Sequence, residues 1–281
     1  MRIFVTGSSG FIGSELCRQA VAAQHEVLRM EKPSRLNDLP LDLISSFKPE
    51  VAVHCAWIAT PDIYADSLEN EVLRSQSIEL FRALSFHGLK HFIGCGTCAE
   101  YAPSPFALNE DHSTLAPSSR YARAKHELHG DLSSAALELS VRLTWARIFF
   151  PYGHGEHPNR LISTLFRSFQ EGRRENLRSR GAVRDYIHVE DVASALLLFA
   201  TSHATGCFNI GTGEGVTVGE VEAEVARLCS RSELVEAAPR FVARSSDDSF
   251  VASNRKLRAL GWTPRYKLSE GLATYRKQPA N

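Results

Sequence analysis

A doubly wound α/β protein built on a parallel sheet is predicted by three observations in this sequence. Apolar runs of strand length alternate with helix-like segments through the first 150 residues, an order that demands crossover connections and hence parallel strands. The first run leads straight into glycines at 7, 10 and 13. Gly and Pro then cluster at 151–158 and 211–215, where the chain changes character.

The first strand covers 2–6, a short apolar run suited to burial on both faces. Gly7 and Gly10 let the backbone turn and approach an anion without Cβ clashes, and Gly13 lets the following helix, 12–23, pack against the strand. Phe11 and Ile12 open that helix, whose first N–H groups and dipole suit a dinucleotide pyrophosphate. This is a Rossmann-type arrangement. Further strands are expected at 26–30, 50–55, 91–96 and 143–149, with helices at 41–47, 66–87 and 119–138. The connection from Glu31 to Val51 is short and carries Lys-Pro-Ser, Asn-Asp and Leu-Pro breaks, so one strand is expected to be missing there. Beyond the first cluster, Leu161–Gln170 reads as a helix, Arg184–His188 as one extended stretch, Val189–Thr201 as a helix and Cys207–Ile210 as a last strand. The expected organisation is a dinucleotide-binding domain at 1–150 with a return segment at about 187–212. A smaller C-terminal substrate-binding lobe takes 151–186 and 213–281, with the substrate in the cleft between them.

Composition narrows the partners. The 281 residues carry 32 basic and 32 acidic side chains, so no global field favours nucleic acid or an anionic membrane. No apolar run approaches the roughly 20 residues of a bilayer helix, and no leader precedes the first strand. A cytoplasmic protein with no membrane or nucleic-acid partner is expected. Cysteines at 17, 55, 95, 98, 207 and 229 do not form a dense framework and are expected to be reduced thiols. Cys95 and Cys98 have the spacing of a redox pair, but a buried strand end explains them more simply. His126 with His129, and His154 with His157, lack the third ligand of a zinc site, so no metal is expected. His157 reads as a solvated loop residue near the cleft.

Tyr121 and Lys125 lie one helical turn apart and share a face. A phenol titrates near pH 10, so a neighbouring cation is needed if it is to exchange protons near neutrality. Alone, the pair reads as an ordinary helix surface. Thr97, at the end of a strand in Gly94–Tyr101, gives it context, because open parallel sheets bind ligands at that carboxyl edge.

These motifs resemble the extended short-chain dehydrogenase/reductases of the nucleotide-sugar epimerase/dehydratase family. The resemblance rests on TGSSGFIG at 6–13, the strand ending His54-Cys-Ala56, the Thr97 segment and YARAK at 121–125. It continues through RDYIHVEDVA at 184–193, FNIGTGE at 208–214 and LRALGWTP at 257–264. It implies that Tyr121 exchanges the proton, Lys125 holds the nicotinamide ribose and supports the phenolate, and Thr97 bonds the reacting sugar oxygen. It further implies dinucleotide contacts at Gly7, Gly10, Phe11, Ile12, Gly13 and Ala56. Glu31, at the end of the second strand, would accept bonds from the adenosine ribose and favours NAD, while Lys32 and Arg35 leave NADP open. The missing strand removes an aspartate that relatives place near the adenine.

On the substrate side the resemblance implies that Asn159, Arg160, Arg184 and Arg244 hold a nucleotide diphosphate and that Asp247 binds nucleoside hydroxyls. Phe150 stands where relatives often place a phosphate-binding asparagine. Relatives that dehydrate the sugar carry Thr-Asp-Glu at the Thr97 site, whereas here Cys98 and Ala99 follow, so 4,6-dehydration lacks its proton carriers. Two reactions at C4 remain: reduction of a 4-keto-6-deoxy sugar, and 4-epimerisation. The short chain and its tail, 250–262, favour the 4-ketoreductase. A non-catalytic dinucleotide-binding regulator is the reading from another class, and the intact Thr97, Tyr121 and Lys125 set argues against it. Helices 66–87 and 119–138 are expected to pair two copies into a homodimer.

Overall fold

The structure is a computed structural model that describes residues 1–30, 40–235 and 245–277. In chain order the sheet half runs β1 (Arg2–Thr6), α1 (Phe11–Ala22), β2 (Glu26–Met30), α2 (Leu41–Phe47), β3 (Val51–His54), α3 (Glu69–Phe86), β4 (His91–Thr97), α4 (Arg120–Leu139) and β5 (Arg142–Ile148). The remainder adds β6 (Phe150–Tyr152), α5 (Leu161–Gln170), β7 (Ala182–Arg184), β8 (Tyr186–His188), α6 (Val189–Ser202), β9 (Gly206–Ile210), β10 (Val216–Thr217), α7 (Val218–Leu228), β11 (Ser245–Phe250), α8 (Arg255–Ala259) and α9 (Leu268–Ala273). Six strands form one sheet in the order β2-β1-β3-β4-β5-β9, and every pairing in it is parallel.

Strand periodicity explains the two layers around that sheet. Ile3 and Val5 face one side and pack with Leu16, Val192, Leu196 and Phe199 of α1 and α6. Phe4, between them, faces the other side and packs with Ile44, Leu80, Phe81, Leu84 and Leu128 of α2, α3 and α4. All three are fully buried, and each such side chain contributes about 1.5–3 kcal/mol. Among the described residues β2 is the outer strand, and the short link after it holds only α2. Residues 31–39, which carry the breaks after β2, lie outside the described residues.

The later part of the chain forms a second core of Tyr152, Ile162, Leu165, Phe166, Phe169, Val221, Val225 and Leu272. It carries a three-stranded sheet, β10-β7-β11, and a two-stranded one, β6-β8. The stretch Arg184–His188 is thus two strands in different sheets, parted at Asp185. That carboxylate accepts bonds from the backbone N–H groups of Thr212, Gly213 and Ala252 and from the Thr212 hydroxyl, so the chain must turn at this residue. Leu257 and Trp262, within the stretch 213–281 assigned to the lobe, pack instead into the core shared by β1, α1 and α6. Apolar burial draws them there across the boundary.

Candidate active site

The turn after β1 is shaped by close backbone contacts. Gly7 has φ +63°, and a Cβ there would stand 2.8 Å from the backbone of Ala56; a Cβ on Gly13 would collide with the Gly7 carbonyl oxygen. Phe11 and Ile12 form the first turn of α1 as expected. No side chain caps that helix, so its leading N–H groups face outward to a ligand. Ser8 Oγ, in the same turn, is buried and has no hydrogen-bond partner among the described residues. An uncapped helix start, backbone free of Cβ atoms and a spare hydroxyl fit a dinucleotide pyrophosphate. Behind the turn, Thr6 Oγ1 lies 2.8 Å from His54 Nδ1, and His54 Nε2 lies 2.9 Å from Ser77 Oγ. Burial drives the His54 imidazole down to about 3, so it is a neutral strut. Glu31, Lys32 and Arg35 lie outside the described residues.

Thr97, Tyr121 and Lys125 line one cavity of about 280 Å³ at the carboxyl edge of the sheet, together with Ile12, Arg160 and Arg184. The register puts Thr97 at the end of β4, opposite Ile148, where its hydroxyl accepts from Ala99 N–H at 3.2 Å. Ser119 caps α4 and the Tyr121 N–H donates to Ala65 O at 2.9 Å, fixing the start of that helix. Burial pushes the Tyr121 phenol well above its ordinary value, and the hydrogen bond with Thr97 opposes that rise. The phenol is therefore neutral until a positive charge approaches.

Lys125 is buried, and desolvation lowers its ammonium to about 8. Its Nζ donates to Cys95 O at 2.8 Å and sits 3.6 Å from the centre of the Trp57 ring. Trp57 is held in turn by Asn70 Oδ1 at 2.8 Å. Tyr64, on the same connection, meets Tyr121 edge to face at 5.0 Å. Sequence reasoning missed Trp57 and Tyr64, because a connection with no periodicity gives no sign of which helix it will cover.

It also missed the buried support under Thr97. Glu100, fully buried, accepts from Thr97 N–H at 2.9 Å, Trp145 Nε1 at 3.0 Å and Arg147 Nε at 2.8 Å. Arg147 then reaches Tyr101, whose hydroxyl donates to Asn209. Glycine at 96 is required here, since a Cβ would collide with the Trp145 indole. The only signal was an arginine inside an apolar strand. Cys98 is buried and pushed up to about 12, and it forms no pair with Cys95; that thiol instead meets Cys55, 3.7 Å away. No three His, Cys, Asp or Glu side chains cluster for a metal among the described residues.

On the lobe side, Arg184 stands between Phe150 and Phe250, 5.2 and 5.4 Å from their ring centres, and its guanidinium bonds Asp248. Arg160 joins it in the cavity lining. Asn159 does not: it is exposed, with its N–H donating to His157 Nδ1 at 3.2 Å. Arg244 and the Asp247 side chain lie outside the described residues.

The fold and this site define a dinucleotide-dependent enzyme of the short-chain dehydrogenase type. The NAD dependent epimerase/dehydratase family matches residues 3–211, and the chain belongs to that family. It is similar to a UDP-glucose 4-epimerase of Corynebacterium glutamicum, 28% identical, with 95% of this chain and 92% of that protein covered. A dTDP-glucose 4,6-dehydratase of Streptomyces niveus is 26% identical, with 97% and 90% covered. Among solved structures, the UDP-glucose 4-epimerase of Thermus thermophilus complexed with NAD superposes with TM-score 0.82 at 26% identity, covering 97% of each chain.

Proposed function

We propose that this protein is an NAD-dependent nucleotide-sugar 4-epimerase. The observation that carries the reading is a single cavity holding Thr97, Tyr121 and Lys125 while Cys98 and Ala99 occupy the places of an acid pair. A thiol pushed up to about 12 neither removes nor delivers protons near neutrality, which sets the dehydratase reaction aside. Epimerisation needs only one proton-exchanging group. The family relatives that carry the 4-epimerase name support this reaction over the 4-ketoreductase favoured by chain length and tail.

In this reading residues 1–150 with the 187–212 return hold NAD, and the lobe holds the nucleotide diphosphate through Arg160 and Arg184. Bound NAD supplies the hydride acceptor and donor. Tyr121 takes the proton of the sugar C4 hydroxyl and returns it after the ketone has presented its other face. Thr97 keeps the phenol and the sugar oxygen in one hydrogen-bonded line. The Lys125 charge favours the phenolate once it turns from Cys95 O toward the ribose. Phe150 and Phe250 hold the Arg184 guanidinium flat, so that its fork meets phosphate oxygens already oriented.

The test is purification followed by assay with UDP-glucose and no added dinucleotide. Retained NAD and formation of the C4 epimer are expected, and Tyr121→Phe should lower turnover by about 10²–10⁴-fold while NAD stays bound. Stoichiometric oxidation of added NADH or NADPH by a 4-keto-6-deoxy nucleotide sugar, without epimer formation, would restore the ketoreductase.

A further inference from the structure

Two thiols from different strands meet beside Lys125. β3 and β4 pair with His54 opposite Gly94, so the next residues along each chain, Cys55 and Cys95, stand side by side. Their Sγ atoms are 3.7 Å apart, both line the cavity, and both are free thiols. The hydrogen bond between the two sulfurs and the Lys125 charge hold the Cys95 thiol below its ordinary range despite burial. Lys125 is held on the Cys95 side of the pair by the Cys95 carbonyl, so Cys95 attacks and Cys55 resolves; the reverse order gives the same disulfide.

The geometry points to a redox modification site in which Cys55 and Cys95 form a reversible disulfide when a small two-electron thiol oxidant enters the cavity. With a diazene as oxidant, the Cys95 thiolate attacks one nitrogen of the N=N bond and the other nitrogen takes a proton. Cys55 sulfur then attacks Cys95 Sγ; the S–S bond forms, the S–N bond breaks, and the leaving nitrogen takes the second proton. Two thiols lose two electrons and two protons, and the diazene becomes a hydrazine. Neighbouring strands about 4.8 Å apart fall within the Cα separation that disulfides tolerate, about 4.4–6.8 Å, so closure needs side-chain rotation and a small backbone shift. That shift falls on the residue whose carbonyl holds Lys125 Nζ. The effect on turnover rests on the proposed role of Lys125; the disulfide itself does not.

The experiment treats the reduced full-length protein with diamide, alkylates the remaining thiols and maps tryptic peptides. The expected product joins peptide 36–74, which holds Cys55, to peptide 91–120, with Cys98 alkylated, and dithiothreitol reverses it. Alkylation of both Cys55 and Cys95, or a bond between Cys95 and Cys98, overturns the proposal. Cys98→Ser should keep the cross-link and Cys55→Ser should lose it, so the wild-type map is checked by two independent variants. Epimerase turnover should fall about tenfold or more on oxidation and recover on reduction; unchanged turnover in fully cross-linked protein overturns the link to Lys125. A protein that cross-links but turns over no sugar even when reduced counts against the epimerase reading and leaves the disulfide standing.

Discussion

Lys125 shows how burial sets the chemistry of one side chain. Desolvation brings its ammonium down to about 8, against the pull of neighbouring Cys95 and Glu100. It is charged below that pH and loses its proton as pH rises through it, so the positive charge that favours the Tyr121 phenolate disappears on the alkaline side. The kcat/KM profile of the free enzyme should accordingly fall above about pH 8, roughly tenfold per pH unit. Lys125→Arg should remove that limb, at lower absolute turnover, because a guanidinium does not titrate in this range. A profile that stays flat to pH 9.5 in the wild type would contradict the assignment. Tyr121 and Lys125 were legible in the sequence because helical spacing alone puts them on one face. Trp57 and Cys55 were not, because each meets Lys125 or Cys95 only through the sheet register and the course of a connection.

At the scale of the element, the turn between β1 and α1 ranks its glycines by what a methyl group would strike. At Gly13 it meets the Gly7 carbonyl; at Gly7 it stands 2.8 Å from Ala56 backbone with φ at +63°; at Gly10 it stands 3.2 Å from Gly7 O, where a small shift suffices. Gly13→Ala should therefore cost the most, on the order of 2 kcal/mol of stability and most of the NAD affinity, with Gly10→Ala the mildest. Calorimetric titration and thermal melts of the three variants check the order. The six strands of the parallel sheet were legible, because runs of strand length set between helix-like segments mark them, whereas β6, β10 and β11 are too short or too polar to stand out. The split of Arg184–His188 was not, since the partners of Asp185 lie at Thr212, Gly213 and Ala252, far along the chain.

For the whole molecule, buried neutral histidines make stability depend on acid. His54 and His91 are held at about 3 and about 4 by desolvation, against an ordinary 6.5, so the unfolded chain takes up protons that the folded chain refuses. Their contribution is fully present above pH 6.5 and is lost as pH falls, by up to about 3 kcal/mol per pH unit for the two together. Burial raises the carboxyls of Glu110, Glu156 and Asp185, which acts in the opposite sense nearer their own range, so the histidine effect is read between pH 6.5 and about 5. Urea midpoints should drop across that interval, and a constant midpoint would refute it. No described helix is long and apolar enough to cross a membrane. Pairing of two copies through α3 and α4 remains our proposal for assembly: their shared seam carries ion pairs from Arg74 to Glu127 and Asp131, and Val72, Phe86 and Leu137 stand exposed on their outer surfaces. Sedimentation at micromolar concentration should give a dimer, and a monomer would remove it.

Asp185 gathers the strands that pass between the two halves: its N–H donates to Phe250 O, its carbonyl accepts from Phe150 N–H, and its carboxylate holds the loop after β9. Strands bound to one residue in this way come apart together rather than one sheet at a time. Heating should therefore give a single calorimetric peak, and two separated peaks would show that the two sets of strands let go independently.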